Sequence, residues 1–166
     1  SVFSETGSLP NVPDSYIDSS DPNSTSSVGK LNLGVPSSGS GESRIFLTFD
    51  LSELPFPSTM TPTNVLLSLY RYNVTGTSPL TVGVYACDTF NENNVTWNTA
   101  PACSTNEITR TTLLVSPETG EQYWDITSLA QANAASGNHT ISIMLKTVGT
   151  PSSGHLFYDS SHSDYP

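Results

Sequence analysis

Basic residues are scarce in this chain of 166 residues: five Lys and Arg stand against fifteen Asp and Glu, a formal net charge of −10. So acidic a balance provides no surface for collecting phosphates, and neither nucleic acid nor an anionic membrane is an expected partner. Long apolar runs are also missing. No stretch approaches the roughly 18 apolar residues that span a bilayer, and the opening "SVFSETG" has neither the basic nor the apolar region of a signal peptide. The chain reads as mature and secreted, without membrane insertion. Only two cysteines occur, Cys87 and Cys103, too few for a zinc site without matching ligands at metal spacing. Their spacing suits a loop-closing disulfide stabilising by roughly 3 kcal/mol in a chain-entropy estimate, with two buried free thiols as the alternative.

What is present is alternation. "SRIFLTFDL", "NVLLSLYRYNV", "LTVGVYACDTF", "TRTTLLV", "HTISIMLKTV" and "GHLFYDS" alternate apolar and polar residues between Gly, Pro, Ser and Asn clusters. They predict strands joined by turns. "WDITSLAQANAASGN" is the exception and predicts one short helix near 126–136, capped by Asp125 or Thr127, with Leu129 and Ala130 facing inward and Gly137 ending it. Six or more strands with a single helix predict an all-β fold, an antiparallel β-sandwich of jelly-roll type. The Ser-rich "PSSGSGES" is then a hairpin loop, and the expected organisation is an extension over 1–10 followed by one domain over 11–166.

No nucleophile with its base is legible. His139, His155 and His162 sit in polar contexts and read as surface residues, no G-x-S-x-G occurs, and the acidic residues of "TFDLSEL" and "SPETGE" read as solvated turns. The expectation is a non-enzyme. Asp14, Asp18 and Asp21 share a turn-rich stretch whose oxygen ligands suit a structural Ca2+, with Asp159 or Asp164 as further ligands; the alternative is a solvated acidic loop. Sequons at Asn23, Asn73, Asn94 and Asn138 lie beside turn-like residues where a glycan could remain in water. Trp97 and Trp124 are expected to plug the ends of the sandwich, and Arg44 to lay its stem over the sheet edge and reach a carboxylate such as Asp50.

The markers "DSYID", "LNLG", "SRIFLTFDLSELP", "LLSLYRY", "NNVTWNTAP" and "YWDITSLAQ", read in that order, resemble the DNRLRE-type domain. This is a secreted β-sandwich family related to disaggregatase repeats and to a carbohydrate-binding module family. The resemblance covers about residues 12–166 and rests chiefly on "VTWNTAP" followed by "WDITSL". It implies recognition of a polysaccharide, with exposed Tyr or Trp stacking on sugar rings. The net charge of −10 argues against polyanions such as alginate unless calcium bridges them, which leaves neutral glycans open. Phe90 stands ahead of Glu92 where the family usually has Trp, which weakens a stacking role there.

Members of that family usually continue past the terminal proline into one more strand, whereas Pro166 is the last residue here. A sandwich lacking a strand exposes an unpaired ladder that another chain can fill. Val2, Phe3 and Leu9 of "SVFSETGSLP" are the apolar residues available for donation. Head-to-tail donation does not close, so the leading expectation is an extracellular surface filament of copies of this chain, engaged in adhesion. A monomeric carbohydrate-binding module is the alternative.

Overall fold

The computed structural model describes residues 13–25, 29–53 and 63–159. Nine strands form in chain order: β1 (Asp14–Asp18), β2 (Lys30–Gly34), β3 (Ser43–Asp50), β4 (Leu66–Thr75), β5 (Leu80–Cys87), β6 (Cys103–Leu113), β7 (Gly120–Asp125), β8 (Thr140–Thr147) and β9 (Gly154–Tyr158). Helix α1 (Thr127–Ala135) lies between β7 and β8. The strands pair antiparallel in the order β6-β5-β8-β3-β2-β9-β4-β7, with β1 laid along β3. The link between β2 and β3 is a single pair, Gly34 with Ser43. The sheet therefore folds at that corner into two layers, β1-β3-β8-β5-β6 and β2-β9-β4-β7, as an all-β sandwich of jelly-roll type.

Period-two alternation sends one residue set of each strand into the space between the layers. Ile45, Leu47 and Phe49 of β3 face Leu145, Ile143 and Ile141 of β8, and Val82 and Val84 continue the row on β5. From the other layer come Leu31, Leu33, Leu67, Leu69, Phe157 and Trp124. Trp124 is fully buried, and its indole N–H donates to the Val82 carbonyl at 3.3 Å. At the far edge the Thr111 hydroxyl of β6 donates to the Tyr123 carbonyl of β7 at 2.8 Å, so the two terminal strands of the path face each other across the seam.

One polar island interrupts this core. Arg71 is fully buried and donates to the carbonyls of Pro117 and Glu118, each at 2.8 Å, while its remaining amino group lies 3.0 Å from His155 Nδ1. An arginine has no acceptor, so Nδ1 accepts, and Nε2 donates to the Ser153 hydroxyl at 2.8 Å. Burial, with the Arg71 charge beside it, pushes the His155 pKa down to about 4. The expectation of a surface histidine is thus corrected for His155: in an alternating strand its parity places it inward with Phe157.

Strand β9 pairs with β2 on one side and β4 on the other, so both of its ladders are filled. Helix α1 begins after Ile126. Ile126 is its N-cap and no side chain caps it, so the expected cap by Asp125 or Thr127 is not formed; the Asp125 carboxylate is instead held below the usual carboxylate range by the Thr127 hydroxyl and by the Thr127 N–H, which it accepts at 3.0 Å.

Candidate functional site

The outer face of the layer containing β8 carries a second apolar cluster. Ile17, Phe46, Met144 and Tyr85 come from β1, β3, β8 and β5, and Val95 from the loop 88–102 that connects β5 to β6. That loop crosses the face and covers it. Phe90 meets Phe46 edge-on at 5.9 Å, the Asp14 N–H donates to Glu92 at 3.0 Å, and the Asn98 N–H donates to the Pro22 carbonyl at 3.0 Å. Cys87 and Cys103 join its two ends in a disulfide directly across the β5–β6 pair. Within the loop, the Thr96 and Thr99 side chains bond each other at 2.8 Å and hold the "VTWNT" turn.

Beside the loop opens a groove of about 390 Å³ whose walls include Trp97, Tyr85, Arg44, Met144 and Lys146. The Arg44 guanidinium lies over the Trp97 ring at 4.5 Å and donates to Glu42 at 2.9 Å. Lys146 Nζ stands 5.5 Å above the Tyr85 ring. The ring of Tyr85 lies along its own strand over Gly83: a Cβ at position 83 would come within 3.0 Å of the Tyr85 ring and of the Glu107 carboxylate. A side chain there would push the Tyr85 ring or the Glu107 carboxylate aside, and glycine lets both lie close over the strand.

The cations fall in a line. Gly83 pairs with Lys146 on one side and with Arg110 on the other, and Arg44 stands opposite Lys146, one step past the paired Ile45 and Leu145. With about 4.8 Å between strands, Arg44, Lys146 and Arg110 mark a transverse row about 14 Å long. Arg110 is held by both oxygens of Glu107, at 2.7 and 3.0 Å, and this hydrogen bonding raises its pKa. Lys146 has no carboxylate partner among the described residues. Three of the chain's five basic residues thus gather on one face of a molecule with net charge −10. Tyr85, Lys146 and Arg110 were not singled out from the sequence, although the parity of "LTVGVYAC" places Tyr85 opposite in sense to Val82 and Val84.

Other expected positions fall as follows. Arg44 pairs with Glu42 and not with Asp50; Asp50 accepts from Ser52, whose hydroxyl and N–H lower its pKa. Two residues along a strand share a face, whereas Asp50 lies six positions away at the strand's other end. Trp97 departs from the expected core position and is partly exposed on the outer face. Asp14 and Asp18 occupy opposite ends of β1; Asp18 accepts from Ser20 and Asp21 from Ser24. Asp159 is buried and accepts the Gly29 N–H at 2.7 Å. Among the described residues no group of three or more His, Cys, Asp or Glu is placed to hold a metal ion. Asn23, Asn94 and Asn138 are exposed, and Asn73 is partly buried at a β-bulge in β4. Val2, Phe3, Leu9, His162 and Asp164 lie outside the described residues.

The fold is thus a two-layer β-sandwich with aromatic rings and side-chain donors along an outer groove. The profile of carbohydrate-binding module family 96 matches residues 5–165, and the chain belongs to that family. No curated protein matches the chain.

Proposed function

We propose that this protein is a non-catalytic, extracellular carbohydrate-binding module whose outer-face groove holds a polysaccharide bearing carboxylated sugar units. The observation that carries the reading is the row of Arg44, Lys146 and Arg110 beside the Trp97 and Tyr85 rings. Rings supply apolar contact for the sugar face, and the cations supply charge-assisted donors for carboxylates. The family match supports the polysaccharide, and Lys146, which no described carboxylate pairs, set between Arg44 and Arg110, each holding one glutamate, supports the acidic unit despite the chain's overall charge. Kinship with DNRLRE-type and disaggregatase-related domains belongs to the same proposal. Strand-donated filaments draw no support from the described residues: both ladders of β9 are filled, and the segment 1–10 lies outside them.

Titration calorimetry with oligouronates and with neutral oligosaccharides of equal length tests the assignment. Oligouronate binding that weakens at least about tenfold in the double variant Arg44→Ala, Lys146→Ala, with an unchanged melting temperature, is the expected result. Equal binding by the variant would remove the groove from the account, and absence of binding to any polysaccharide would overturn the function.

A further inference from the structure

A larger cleft, of about 620 Å³, lies between α1 and the adjoining ends of β5 and β8. We propose that it is a second saccharide site and that it takes a neutral sugar residue. The inference goes beyond the acidic-glycan reading, because it concerns a different cleft and a different ligand. Its volume falls in the range of small-ligand pockets, and Ala86 and Leu129 give it an apolar floor.

The polar groups around that floor are fixed in place and have bonding capacity in reserve. The Asn133 amide donates to the Thr140 carbonyl at 3.0 Å, and the Asn138 side-chain oxygen accepts the Thr140 N–H at 3.1 Å. These two bonds orient both amides and leave the Asn133 side-chain oxygen, an acceptor, and the Asn138 NH2, a donor, without a hydrogen-bond partner among the described residues. The Asp88 backbone is held by the Ala102 carbonyl at 2.9 Å and follows directly on the disulfide at Cys87, while its carboxylate accepts no hydrogen bond among the described residues. Thr89 and Thr140 add hydroxyls that both donate and accept.

A carboxylate accepts two O–H donors at once, which matches neighbouring hydroxyls of a sugar ring, and the amides and threonines complete a mixed set of donors and acceptors. Among the described residues Asp88 is the only charged one of the lining, so a carboxylated or sulfated sugar is repelled there. The two clefts therefore differ in sign. The first residues of the loop 88–102 line this cleft, and its last residues line the cationic groove.

Amide chemical-shift mapping with glucose, galactose and mannose at up to tens of millimolar, and with their neutral oligosaccharides, tests the site on the wild type, on Asp88→Ala and on the double variant Arg44→Ala, Lys146→Ala. Shifts at Asp88, Thr89, Asn133 and Thr140 are expected, weakened at least about tenfold in affinity by Asp88→Ala and unchanged in the double variant. Thr140→Val, which keeps the backbone bonds, is expected to weaken binding about threefold to tenfold. Shifts confined to the Trp97 groove, no shifts with any neutral sugar, or equal affinity in Asp88→Ala with its fold intact would each overturn the proposal. Loss of oligouronate binding in the double variant is read separately, so failure of one site does not mask failure of the other.

Discussion

Arg71 and His155 show how much depends on a single buried polar contact. Arg71 ties two carbonyls of the turn after β6, and removing it leaves those acceptors and His155 without their donor inside the core. Arg71→Leu is therefore expected to destabilise by roughly 3 kcal/mol or more, measured as a shift in the urea midpoint. His155 imposes a pH dependence. It ionises near 6.5 in the unfolded chain and only at about 4 when folded, so between those values the unfolded state binds a proton that the folded state refuses. Stability is expected to be flat above pH 6.5 and to fall by on the order of 2–3 kcal/mol as pH drops from 6.5 to 4. His155→Gln should flatten that window. Asp50 and Asp125, whose pKa values are lowered, act in a separate one: their contribution is present above the ordinary carboxylate value of 3.8 and is lost below it.

At the level of elements, the loop 88–102 decides the character of the outer face. It has no regular strand or helix, and its position comes from four anchors: the disulfide, Phe90 on Phe46, Glu92 on the β1 backbone and the Asn98 N–H on the Pro22 carbonyl. Replacing both cysteines by serine is expected to cost about 3 kcal/mol and to weaken glycan binding more than the loss of Trp97 alone, because the whole wall of the groove loses its hinge points. Parallel thermal melts and calorimetry separate the two effects. Strands β3, β4, β5, β6, β8 and β9 were legible in the sequence because each shows a local alternating or extended run between turn residues, and the helix because Gly137 marks its end. The groove was not, since Arg44, Lys146 and Arg110 lie far apart in the chain and meet only through register. Trp97 and His155 show the same limit: residue type set an expectation that parity and the covering loop reversed.

The molecule as a whole is acidic, yet its surface charge is unevenly divided. An acidic ligand approaching the groove meets local attraction inside a repulsive long-range field, and salt screens the two differently: the field acts over a Debye length of about 8 Å and beyond, the contacts at a few ångströms. Association of oligouronates is consequently expected to speed up with moderate salt while dissociation also quickens, the reverse of ordinary steering for the on-rate. Stopped-flow measurements between about 20 and 300 mM salt check this, and an on-rate that falls throughout contradicts it. The position of β9 has a further consequence, for the order of events during folding. Its neighbours β2 and β4 are not paired with each other, so the layer they share cannot assemble until residues 154–158 arrive between them. On the ribosome, residues through 158 must emerge before that layer closes, and β8 must likewise arrive before β3 and β5 of the other layer are joined, so neither layer is complete while only the first strands have been made.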